Sequence, residues 1–195
     1  MSGQFKLLTE RRFLPLFVTQ FLGALNDNVL KNAMVILIAF RGVQMSSVAP
    51  ELMVNACAGL FILPFFLFSA TSGQLADKYE KGKLIRLVKL MEIGIMVIAA
   101  IGFWLPNLPC LLVALFLMGL HSTLFGPLKY SILPQHLHEN EMVGGNGLIE
   151  SGTFLAILLG TILGGVLIAL GESGAHWASV TCFVIAIAGY LASRH

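Results

Sequence analysis

Gln20-Phe21-Leu22-Gly23-Ala24-Leu25-Asn26-Asp27-Asn28-Val29-Leu30-Lys31-Asn32 is a polar inset in an otherwise apolar run from about Phe13 to Phe40. A run of that length predicts a helix that crosses a bilayer, whose hydrocarbon layer is ~30 Å thick. At ~1.5 Å per residue, Asp27 falls roughly 20 Å along it, near the middle of the layer. A carboxylate, an ammonium and several carboxamides are costly in hydrocarbon, so they must face a bundle interior or a wet cavity. Asp27 and Lys31 are four apart and share a helical face, with Gln20, Gly23 and Met34 near the same stripe. A structural ion pair would satisfy that spacing. Such a pair adds little net stability at that depth, so the spacing favours a substrate or coupling-ion site.

The rest of the chain supports the membrane reading. Of its 195 residues, 57% are hydrophobic and 11% charged, too apolar for a soluble domain of this length. Several apolar runs reach spanning length, which predicts an all-α membrane protein of six transmembrane helices in one domain over residues 1–195. The expected helices cover about 13–40, 50–71, 84–105, 109–130, 143–170 and 177–193. The first is too long for a signal-peptide core and is expected to be retained. A net charge of +2 gives no argument for nucleic acid. Cys57, Cys110 and Cys182 have neither metal-ligand nor redox spacing and read as small core hydrophobes.

Charge asymmetry orients the helices. Lys6, Arg11 and Arg12 precede the first span. Lys78, Lys81, Lys83, Arg86 and Lys89 lie between the second and third, Lys129 ends the fourth, and Arg194 follows the sixth. The opposite connections hold only Arg41. Basic residues collect on the cytoplasmic side, so both termini and the second connection are expected there.

Other polar residues have competing readings. Lys129 follows Gly126-Pro127, read as a helix break, and suits either a phosphate contact or a snorkelling lysine. Glu150, early in the fifth helix, is placed to pair with Lys129 or to hold a helix end. Glu92 suits a structural pair with a neighbouring base, and His121 a packed, hydrogen-bonded role. Gly160 and Gly164 have the spacing of close helix contact, static or sliding. His136, His138, Glu139 and Glu141 lack a further ligand at metal-site spacing, so neither a metal nor a cofactor is expected. No nucleophile elbow, phosphate-cradling glycine loop or acyltransferase HxxxxD pattern occurs, so the chain is not expected to be an enzyme.

Four ordered stretches carry a resemblance. Gly73, Asp77, Lys78 and Lys81 resemble the signature loop of the major facilitator superfamily, although Glu80 stands where glycine is usual and Gly82 comes two residues late. That variant, with QFLGALNDN at 20–28, FGPLKYSIL at 125–133 and GNGLIESGTFLAILLGTILGGVL at 145–167, is similar to bacterial lysophospholipid transporters of the superfamily. The opening residues look closest to a form fused to a 2-acylglycerophosphoethanolamine acyltransferase and an acyl-carrier-protein synthetase. The resemblance implies the amino-terminal half of a twelve-helix fold, built as a 3+3 inverted repeat. Its cavity would be lined by helices 1 and 4 and partly by 2 and 5. It further implies alternating-access transport of lysophosphatidylethanolamine-class lipids across the bacterial inner membrane, toward the cytoplasmic leaflet, for re-acylation. The missing half would lie on the same longer chain, a dimer mate or a separate chain. On this reading the headgroup is bound by Gln20, Asn26, Asp27, Asn28, Lys31, Lys129 and Glu150. Asp27 would meet the ammonium, and Lys31 or Lys129 the phosphate. A gating loop of Gly73, Asp77, Lys78, Lys81, Lys83 and Arg86 would latch the inner face. Another solute of the same superfamily, or a non-transporting anchor for an acyltransferase, stays open.

Overall fold

The computed structural model describes residues 3–45 and 49–194, with side chains over 3–40 and 49–194. Six long helices make up nearly all of it: α1 (Leu14–Met45), α2 (Pro50–Lys78), α3 (Lys81–Trp104), α4 (Leu108–Ser131), α6 (Met142–Ala169) and α7 (Gly174–Ala192). A four-residue helix, α5 (Leu133–His136), and a short 3-10 turn join α4 to α6. A 3-10 segment, Gln4–Thr9, precedes α1.

Local chemistry sets the helix starts. Pro50 occupies the first turn of α2, where its missing N–H costs nothing. The Glu80 carboxylate caps α3 by accepting from the Gly82 and Lys83 amides. The Asn107 side chain caps α4 by accepting from the Cys110 amide at 3.0 Å.

Two expected boundaries move. The second helix does not stop near 71 but runs to Lys78, and the third starts at Lys81 rather than 84. The expected gating loop is therefore a two-residue turn, Tyr79-Glu80. Gly73, Asp77 and Lys78 belong to α2, and Lys81, Lys83 and Arg86 to α3. A helix end carries charges readily once it clears hydrocarbon, so polarity alone does not mark the stop. The Gly126-Pro127 break is also absent, since α4 continues to Ser131. The expected connection over 41–47 is helical as far as Met45, and its remainder lies outside the described residues.

Among the described residues, five helices are long and apolar enough to cross a membrane: α1, α2, α4, α6 and α7. The helix α3, which carries Lys81, Lys83, Arg86, Lys89 and Glu92, is not among them.

The helices pair in a regular way. The helix α1 packs along α6 and α2 along α4; α7 lies on α1, α3 on α4, and α3 on α7. Glycine permits the closest approaches. A Cβ on Gly160 would lie 2.6 Å from the Leu25 carbonyl oxygen, and one on Gly164 would lie 2.7 Å from that of Val29. Between α2 and α4, a Cβ on Gly119 would collide with the Phe61 carbonyl.

Two apolar cores fill the bundle. One gathers Leu30, Met34, Ile95, Leu115, Met118 and Ala178. The other, toward the start of α1, gathers Phe13, Ile85, Phe125, Leu133 and Ile149. Between them in sequence on α1, α3 and α4 fall the buried polar residues Asn26, Lys89, Glu92 and His121.

Candidate functional site

A groove of about 350 Å³ opens beside that polar layer. Four helices wall it: α1 through Gln20, Gly23 and Asp27, α2 through Phe65, α4 through His121, Ser122, Lys129 and Tyr130, and α6 through Thr153. Such a groove, mostly apolar with a few convergent polar groups, is the usual form of a small-ligand site.

Asp27 is its acidic end. The Ser122 hydroxyl donates to Asp27 Oδ2. His121 Nδ1 lies 3.9 Å from Asp27 Oδ1. The side chain of Asp27 lines the groove and is 13% exposed, while its Oδ1 is buried without a hydrogen-bond partner. It makes no ion pair with Lys31, which turns instead to Asn28 Oδ1 at 3.0 Å and lies 5.3 Å above the Phe61 ring. Four-residue spacing put the two on one face, but Phe61 of α2 offers the ammonium a cation–π partner.

Lys129 is the basic end. Its Nζ lies 3.5 Å from both Glu150 Oε1 and Thr153 Oγ1 and 4.7 Å above the Tyr130 ring. The Tyr130 hydroxyl donates to the same Glu150 oxygen. Gln20 joins this end, its Nε2 donating to the Ile149 carbonyl and its Oε1 accepting from Thr153. The groove thus brings together Gln20, Asp27 and Lys129, with Glu150 linked through Lys129.

Asn26, Asn28 and Lys31 lie elsewhere. Successive helical residues are ~100° apart, so Asn26-Asp27-Asn28 cannot converge on one ligand. Asn26 points inward and donates to Glu92 Oε1 at 2.7 Å. Asn28 donates to the Ala24 carbonyl of its own helix.

Behind the groove, Glu92 is held on three sides. Asn26 donates to one oxygen, Lys89 pairs with the other, and His121 Nε2 lies 3.3 Å from that second oxygen. His121 therefore lies between Asp27 at the groove and the buried Lys89–Glu92 pair. Lys89 was read from sequence as the tail of a cytoplasmic charge cluster. It is instead fully buried, because α3 starts at Lys81 and has completed two turns by Lys89. The signal available in the sequence was its i,i+3 spacing from Glu92.

The connection between α4 and α6 also holds an unforeseen clamp. Arg12 donates from Nη1 and Nη2 to the two Glu141 oxygens at 2.7 Å, and from Nη1 to the His136 carbonyl at 2.9 Å. This bidentate pair ties the start of α1 to the start of α6.

The profile of the Major Facilitator Superfamily matches residues 16–193. Three curated proteins similar to this chain are called lysophospholipid transporter LplT, from Salmonella newport (strain SL254), Salmonella heidelberg (strain SL476) and Salmonella agona (strain SL483). Each is 31% identical over 188 residues, covering 95% of this chain and 42% of the relative. The chain thus spans less than half the length of the curated relatives it matches. No solved structure matches it significantly.

Proposed function

The chain belongs to the major facilitator superfamily, and on that premise we propose that it forms the amino-terminal six-helix half of a bacterial inner-membrane lysophospholipid transporter. The observation that carries the reading is one groove with an acid at one end and a base at the other. Ser122, which holds Asp27, and Lys129 are seven residues apart on α4, roughly 10 Å along the axis. That spacing accommodates a phosphate and an ethanolamine ammonium with a hydrogen bond of ~3 Å at each end. Asp27 takes the ammonium and Lys129 the phosphate, while Gln20, Ser122 and Thr153 supply hydrogen bonds. Glu150 and Tyr130 hold the Lys129 ammonium in place until the phosphate replaces them. Lys31, Asn26 and Asn28 position α1 rather than touch the ligand. The acyl chain stays in lipid.

The helix pairing supports a 3+3 inverted repeat. Exchanging the first three long helices for the last three turns α1–α6 into α4–α2 and α1–α7 into α4–α3, and returns α3–α7 to itself. Under this reading α3 also spans the membrane, its charges cancelled inside the bundle. The basic residues put both termini and the α2–α3 turn in the cytoplasm. Asp77, Lys78, Lys81 and Lys83 are then latch residues for the second half, since none has an ion-pair partner among the described residues. Binding energy that differs between outward and inward states drives the cycle, moving lysophosphatidylethanolamine inward for re-acylation. The second half, and any acyltransferase and acyl-carrier-protein synthetase domains, belong to the intact protein or its partners.

The test is Asp27→Asn in the full-length protein. Uptake of lysophosphatidylethanolamine is expected to fall to background with the amount of folded protein unchanged. Undiminished uptake refutes the assignment. Competition with other lysophospholipids separates this substrate class from an unrelated solute.

A further inference from the structure

A second pocket, of about 140 Å³, lies between the starts of α1 and α3 and the end of α7 and shares no lining residue with the transport groove. Arg11 and Arg86 both line it, both are exposed, and neither has an acidic partner among the described residues. Arg12 lines it too but is saturated: Glu10, Glu141 and the His136 carbonyl take its donors. Arg12 is therefore a wall, and Arg11 and Arg86 are the available cations. Thr19, about two turns deeper than Arg11, also lines the pocket. It is 1% exposed, and its hydroxyl has no hydrogen-bond partner. A buried hydroxyl left unpaired costs free energy unless a ligand or water meets it.

Two guanidinium groups without an acidic partner among the described residues and an unpartnered hydroxyl, lining one pocket, suit a phosphate, which arginine forks match in geometry and charge. The surroundings indicate where the phosphate comes from. Leu87 and Leu90 on α3 and Leu191 on α7 are exposed apolar residues close in sequence to the pocket-lining Arg86 and Ala192. Those leucines put the pocket beside the bilayer surface, where lipid headgroups are the phosphates at hand. We propose that Arg11, Arg86 and Thr19 bind the phosphate of an anionic diacyl phospholipid of the inner leaflet, as a site separate from the transport groove. Basic pockets between helices on the cytoplasmic side commonly hold such headgroups. The leaflet rests on the cytoplasmic orientation proposed above; the recognition chemistry does not.

The experiment uses the purified full-length protein offered equal amounts of phosphatidylglycerol and phosphatidylethanolamine with matched acyl chains, with bound lipid resolved by native mass spectrometry. Phosphatidylglycerol is expected to be retained at least ~5-fold in preference. The double variant Arg11→Gln/Arg86→Gln should lose that preference, and Thr19→Val should weaken retention ~10-fold, as loss of a hydrogen bond to a charged group does. Lys6→Gln, an exposed base outside the pocket, should leave it unchanged. Equal retention of both lipids, or a preference that survives in the double variant, overturns the proposal. So does saturable binding of inorganic phosphate without lipid preference, which would place the anion in solution. Lipid retention is read without regard to leaflet or transport. Its failure leaves the uptake assay untouched, and sidedness is read separately by labelling a cysteine placed at Asn140.

Discussion

Lys89 and Glu92, one turn apart on α3, form an ion pair from which solvent is excluded at both side chains. Taking two charges out of water is expensive, and their attraction roughly offsets that cost only while both remain. Removing one partner leaves an uncompensated buried charge, worth ~3–5 kcal/mol of destabilisation. Lys89→Met and Glu92→Gln should therefore each lower the unfolding temperature of the purified protein markedly. The double variant Lys89→Met/Glu92→Met should regain much of the loss. Thermal unfolding followed by size-exclusion fluorescence checks this, and single variants no worse than the double would show that the pair is not coupled.

Lys129 and Lys31 should separate in transport. Lys129 lines the groove, whereas Lys31 turns to Asn28 and Phe61. Lys129→Met is expected to reduce lysophosphatidylethanolamine uptake at least ~10-fold, as loss of a charge-assisted hydrogen bond does. Lys31→Met should keep most of it. Uptake that depends on Lys31 and ignores Lys129 would put the phosphate at the other end of α1.

Glycine contacts should be graded by what a methyl group would meet. Gly119→Ala drives a Cβ against the Phe61 carbonyl, and Gly160→Ala against that of Leu25. Both should lower the yield of folded protein, with a loss of roughly 1–3 kcal/mol from overpacking. Gly147→Ala meets nothing within 4 Å on an exposed helix face and should be neutral or stabilising by up to ~1 kcal/mol. Yield and unfolding temperature of the three variants, compared side by side, decide the matter.

Much of this arrangement is legible in the sequence because hydrocarbon tolerates so little polarity. Asp27 announces itself as a charge in an apolar run, and Lys129 and Glu150 as bases and acids at helix ends. Direction is what the sequence hides. Asn26, Asp27 and Asn28 read as one polar cluster, yet they project toward three different surroundings. Lys89 reads as the last of a cytoplasmic run, because nothing in a string of bases shows which turn of α3 first faces inward. His121 reads as a packed histidine, and only the approach of α1 and α3 to α4 reveals it between two acids. Ser122 and Thr153 carry no distinguishing signal, since single hydroxyls are common in such helices.

The helix α3 has a consequence for how the chain is made. It carries a lysine and an acid, Lys89 and Glu92, both fully buried in the bundle. A lysine or an acid near the centre of a helix opposes insertion by ~2.5–3.5 kcal/mol each. Lys89 and Glu92 pair within α3, but the further contacts to Glu92 come from elsewhere: Asn26 from α1, made before it, and His121 from α4, made after it. A chain cut after Trp104 should accordingly leave α3 outside the bilayer, accessible to a soluble labelling reagent, whereas one cut after Ala192 should protect it. Synthesis order and settling order then differ. On that expectation the third helix off the ribosome settles only once the fourth supplies His121, and labelling of the shorter chain reports the unfinished intermediate between them.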